Sequence, residues 1–126
     1  MNSIIKNILA VIIGVTIGMV VNMGLIIIGS KIFPYPSEVY FLDATSWDIK
    51  YFIFPFLAHA IGTLAGAFSS IKISKNIINA IIVGIYFLSG GIYMVVILPS
   101  PIWFICLDLI IAYIPMALLG WKLNNL

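Results

Sequence analysis

Apolar residues run along this chain in four long blocks, about 7–29, 50–71, 77–98 and 102–121, and polar residues fall mostly between them. Each block reaches the roughly 20 apolar residues that a helix needs to cross a ~30 Å hydrocarbon core. None of the blocks carries more than one formal charge. The pattern predicts an all-α fold, an antiparallel four-transmembrane-helix bundle forming a single transmembrane domain over residues 1–126. Residues 30–49 make the one sizeable outer loop.

That loop holds Pro34-Tyr35-Pro36, where proline forbids continued helix, and three of the four acids, Glu38, Asp43 and Asp48. Thr45 and Ser46 stand ahead of Asp48 in the manner of a cap, which predicts that the second helix begins near Trp47. The run Val39-Tyr40-Phe41-Leu42 is apolar enough for a short interfacial helix. Pro99-Ser100-Pro101 predicts a tight hairpin between the third and fourth spans. The first block is far longer than the apolar region of a signal peptide and no small-residue cleavage pattern follows it, so it is expected to stay as an anchor.

Composition changes the solvent. With 63% hydrophobic and 8% charged residues and a mean hydropathy of +1.24, the chain has too little polar surface to cover a water-soluble globule. The lipid bilayer is the first expected partner. The net charge of +2 comes from six lysines against four acids, without arginine or a basic run, which gives no footprint for nucleic acid. The single Cys106 excludes an internal disulfide, a dithiol redox pair and a thiolate metal cluster. Lys6, Lys72, Lys75 and Lys122 fall on the side of the N-terminus, and Lys31 and Lys50 on the other. That asymmetry predicts both termini in the cytoplasm. Tyr35, Tyr40, Trp47, Tyr51 and Trp103 suit one interface as aromatic anchors, and Trp121 suits the other.

Ionisable groups are costly inside a bilayer, which makes His59 in the second span and Asp108 in the fourth the first functional candidates. Asn22 in the first span joins them. At 1.5 Å per residue, Asn22 lies roughly 5–6 Å to the outer side of the midplane, His59 about 3 Å and Asp108 about 5 Å. The third span passes that depth at Ser89-Gly90-Gly91. On helical wheels Gly14, Gly18 and Asn22 share a face, as do Pro55, His59, Gly62, Thr63 and Gly66, and as do Asp108, Ala112 and Pro115. Small residues at spacing four let membrane helices approach closely, so Gly14, Gly18, Gly62, Gly66, Gly90 and Gly91 are expected to pack helix on helix. Pro55 and Pro115 each free a backbone carbonyl in the preceding turn.

Each polar group also has a plain structural reading. Asn22 on a glycine face serves as interhelical glue, and His59 as a neutral imidazole satisfied by Thr63, a carbonyl or Asn22. Asp108 could sit protonated or hydrated. The sharper expectation is a coupled His59–Asp108 pair. Burial opposes charge on either group alone while pairing supports both, so the two would titrate as a unit and handle a proton, a cation or a polar lipid group. Asn22 and Thr63 would complete that site.

Specific chemistries fall away on residue types. One histidine cannot give bis-histidine haem ligation within the chain, and His59 with Asp108 falls short of the three protein ligands of a hydrolytic zinc. No metal or other cofactor is expected. There is no HExxH or GxSxG pattern, and Ser89 has no activating base on its helix, so an enzyme is the less favoured class.

Phe54-Pro55-Phe56-Leu57-Ala58-His59 with Gly62, Thr63 and Gly66, then Leu98-Pro99-Ser100-Pro101-Ile102-Trp103 with Asp108 and Ala112-Tyr113-Ile114-Pro115, and Asn22-Met23-Gly24 together resemble a group of small, uncharacterised four-helix bacterial membrane proteins. The resemblance covers most of the chain and implies a bacterial inner membrane, but brings no activity with it. Size alone is also similar to small multidrug resistance transporters and small fluoride channels. The former would need a membrane-embedded glutamate where this chain has Asn22, and the latter would lead one to expect arginine. Two functional classes follow. One is a binding or transport module, as a monomer or homodimer, built on the Asn22–His59–Asp108 layer. The other is an accessory subunit that docks a larger membrane protein through glycine faces, signalled if Gly84 and Gly91 point outward.

Overall fold

A computed structural model describes residues 2–35 and 43–126. The helices are α1 (Ser3–Ile32), α2 (Lys50–Ser74), α3 (Ile77–Ile97), α4 (Ile102–Ile111) and α5 (Ile114–Asn124), with no strand among the described residues. α4 and α5 follow one another in a single span, Ile102–Asn124, so four stretches are long and apolar enough to cross a membrane. The chain is an all-α four-helix bundle of the multi-pass membrane class, as its apolar blocks predict. The expected interfacial helix at 39–42 lies outside the described residues.

Helix ends follow local chemistry. The Asn2 and Asn76 side chains accept from the backbone amides of Ile4 and Ile78, satisfying donors that the first turns of α1 and α3 leave open. α2 stops where Lys75 takes a left-handed conformation (φ 57°) and its amide donates to the Ile71 carbonyl. The start of α2 differs from the expectation. Thr45 does not cap it; its amide and hydroxyl donate to the Asp43 carboxylate at 2.9 and 2.6 Å, and the helix begins only at Lys50. A side chain that closes a turn on a preceding aspartate is not free to cap the helix ahead of it.

α2 is the central element and touches every other helix, whereas α1 reaches only α2 and α3. The α1–α2 seam is antiparallel and made by backbone. A methyl group added at Gly14 would stand 2.6 Å from the Gly66 carbonyl oxygen, and one at Gly18 would stand 2.7 Å from that of Gly62. Further out, Gly29 lies directly against the Phe54 side chain. On α1 only Ala10, Gly14, Gly18 and Gly29 are buried, and its large aliphatic side chains face outward, as a lipid-bathed helix allows.

α3 runs antiparallel to α5 through Gly84 against Ala117, and Gly91 meets Tyr113. Both glycines are therefore used inside the bundle. Gly90 is the exception among the expected packing glycines, because an added methyl group would meet nothing within 4 Å. Polar ties hold the ends. Asn79 donates to the Asn7 side-chain oxygen at 3.1 Å and Asn124 donates to the Phe68 carbonyl at 2.8 Å. At the opposite end the Ala44 amide donates to the Pro99 carbonyl at 2.8 Å, fastening the outer loop onto the α3–α4 turn.

Candidate functional site

The site begins with a broken helix. Pro115 offers no amide hydrogen and its ring crowds the carbonyl four residues earlier, so α4 ends at Ile111 and α5 restarts with the proline in its first turn. The last bond of α4 runs from the Ala112 amide to the Asp108 carbonyl, and the Ala117 amide picks up the Tyr113 carbonyl. Tyr113 sits in the step between them and is 2% exposed. Gly91 makes room for its ring, since a methyl group there would stand 2.5 Å from the phenol oxygen.

Asp108, on α4, is 4% exposed and meets two partners. His59 Nδ1, from α2, lies 2.8 Å from one carboxylate oxygen and 3.0 Å from the other. The Tyr113 hydroxyl donates to the second oxygen at 2.9 Å. A hydrogen carried on Nδ1 and shared by two carboxylate oxygens suits this geometry, and an ionised carboxylate can only accept. With Asp108 ionised, the network sets the Nδ1–H tautomer of neutral His59, and Nε2 has no partner among the described residues. The imidazole also stacks on the Tyr113 ring, centroids 5.7 Å apart at 26°.

Of the expected layer, the structure brings His59 and Asp108 together and leaves two members apart. Asn22 packs against Gly62 through its Cα and Cβ, with its side-chain oxygen buried and unpaired. It borders the same cleft as His59 without bonding it. Thr63 is fully buried but its hydroxyl has no partner, so it does not satisfy the imidazole. Ser89 donates to the Tyr86 carbonyl within its own helix. Tyr113 is the site residue that the polar layer omitted. Its signal lay in Tyr-Ile-Pro: a proline two residues on forces a break, which turns a tyrosine one helical turn beyond Asp108 inward.

Two cavities meet at this cluster. The outer one, about 350 Å³, runs from the loop end at Ala44 and Trp47, past Phe52 and Phe104, down to His59 and Asp108. The other, about 480 Å³, is a lateral cleft between α1 and α3 bordered by Asn22, Tyr86, Gly90 and Tyr93. His59, Gly91 and Met94 belong to the walls of both. The His59 side chain is 21% exposed and that of Asp108 only 6%, so the imidazole is the face that the couple shows to these spaces.

Fold and site together define a multi-pass membrane protein with a His–Asp–Tyr cluster between an aromatic cavity and a lateral cleft. No family model, curated protein or solved structure matches the chain.

Proposed function

We propose that this protein is a small intramembrane binding or transport module in which His59 and Asp108 handle a proton. The observation that carries the reading is the 2.8 Å contact between His59 Nδ1 and Asp108, made by a histidine that borders both cavities. Proton uptake at Nε2 converts a net negative couple into a neutral ion pair, and the carboxylate fixes the ring through either state.

No second histidine or carboxylate lies in the spans around His59. α1 offers Asn22, which does not titrate, and α3 offers the cleft tyrosines Tyr86 and Tyr93. Tyr113 donates to Asp108, and Tyr51 stands further out along the aromatic cavity with Tyr35. Burial raises the Tyr35 phenol above its ordinary value.

The interior use of Gly84 and Gly91 favours this reading over an accessory subunit, for which those glycines would face a partner helix. The lysine asymmetry supports cytoplasmic termini, and the resemblance noted above supports a bacterial inner membrane. The test is proton exchange across vesicles reconstituted with the protein and loaded with a pH-sensitive dye. Exchange faster than in empty vesicles, lost in His59→Ala and Asp108→Asn and retained in Cys106→Ala, is the expected result. Wild-type vesicles no more permeable than empty ones would contradict proton transport.

A further inference from the structure

We infer that the aromatic cavity binds a planar phenolic molecule, ring against the aromatic wall and hydroxyl donated to His59 Nε2. The inference rests on the proposed role of His59 as a base and names the ligand class that such a base would take.

The walls select for a flat ring. Phe52 and Phe104 pack against each other, centroids 4.7 Å apart, and present one aromatic wall to the cavity. Trp47 continues the aromatic side toward the loop. Such surfaces favour stacked or edge-to-face partners over flexible chains. The cavity volume, about 350 Å³, is at the small end of the range for small-molecule sites and suits a one- or two-ring molecule.

The deep end selects for a hydrogen-bond donor. Both Asp108 oxygens already accept, from His59 and from Tyr113, so the carboxylate is largely committed. Nε2 has no partner among the described residues, and in the tautomer that an ionised Asp108 sets it accepts. An organic cation fits less well: Lys50 Nζ stands over the Tyr51 ring at 5.2 Å, placing positive charge beside the same wall. An aliphatic alcohol would leave the ring surfaces unmatched. A phenol satisfies both ends, and its acidic hydroxyl makes the stronger bond to imidazole.

His59 is the only histidine, so 15N-histidine labelling of the full chain yields signals from this ring alone. The labelled protein in detergent micelles is titrated with 1-naphthol and, separately, with 1-methylnaphthalene. A saturable shift of the Nε2 resonance with 1-naphthol alone is expected, with affinity at least about tenfold weaker in Asp108→Asn. Ile105→Phe, which narrows the cavity from α4, is expected to abolish the shift while the pH response of the His59 signals persists. Equal shifts with both probes would mean an apolar site blind to the hydroxyl. No shift with either, in a protein whose His59 signals still follow pH, would overturn the phenol site and leave the proton-handling reading standing.

Discussion

The imidazole of His59 lies nearly parallel to the phenol ring of Tyr113, 5.7 Å away at 26°, and both side chains reach the carboxylate of Asp108. The stacking and the two hydrogen bonds restrain one another. The tyrosine cannot leave without freeing a carboxylate oxygen, and the imidazole cannot turn without losing both its ring contact and its Asp108 bond. A rigid base at the junction of two cavities is the result.

Removing a member of that cluster should therefore be costly in a graded way. Asp108→Ala leaves His59 and Tyr113 facing an empty, buried space, and should destabilise the protein by about 3 kcal/mol or more. Tyr113→Phe keeps the ring against Gly91 and His59 and loses one hydrogen bond, for about 1–2 kcal/mol. Thermal unfolding in detergent checks the order. Equal losses for the two variants would mean that the ring packing, and not the carboxylate, holds the site.

Glycine positions on α1 and α3 make a paired prediction. Gly18→Ala places a methyl group 2.7 Å from the Gly62 carbonyl oxygen and 2.6 Å from the Phe87 ring, so the α1–α2 seam must open, at roughly 1–3 kcal/mol. Gly90→Ala meets open space and should stabilise α3 by roughly 0.5–1 kcal/mol, the usual gain of alanine over glycine in a helix. The same unfolding measurement decides both, and a loss at Gly90 would place an unseen neighbour against that face.

The outer loop carries a pH dependence of known sign. The Thr45 hydroxyl, then its amide, hold the Asp43 carboxyl below the ordinary aspartate range. A depressed carboxyl contributes its turn's stability at pH values above the unfolded value and loses it as pH falls through the lower folded one. Thr45→Ala should move the Asp43 carbon-13 carboxyl titration toward the ordinary range while leaving the His59 signals in place. An unchanged Asp43 titration would mean that the turn does not depend on the threonine.

Much of this architecture was legible in the residues. Apolar block length placed all four spans, because a bilayer imposes a helix length that no internal packing needs to confirm. Spacing four on α1 and α2 anticipated the Gly14–Gly66 and Gly18–Gly62 contacts, since small residues are what allow backbones to meet. Depth counting paired His59 with Asp108. It could not tell depth from direction: Asn22 and Thr63 share the level but turn toward the α1–α2 seam or find no partner. Gly90 sits beside Gly91 in sequence and on the open side in space. Tyr113 escaped because a straight fourth helix would not have turned it inward; the break before Pro115 did.

The most direct measurement of the central claim is the tautomer of His59. With nitrogen-15 label in its only histidine, the protein is observed above the pH at which the imidazole is neutral, as wild type and as Asp108→Asn. The wild type is expected to carry its hydrogen on Nδ1, with a bare Nε2, and the variant to shift toward the Nε2–H form favoured by free histidine. A wild-type ring protonated at Nε2, unchanged by the substitution, would contradict that claim.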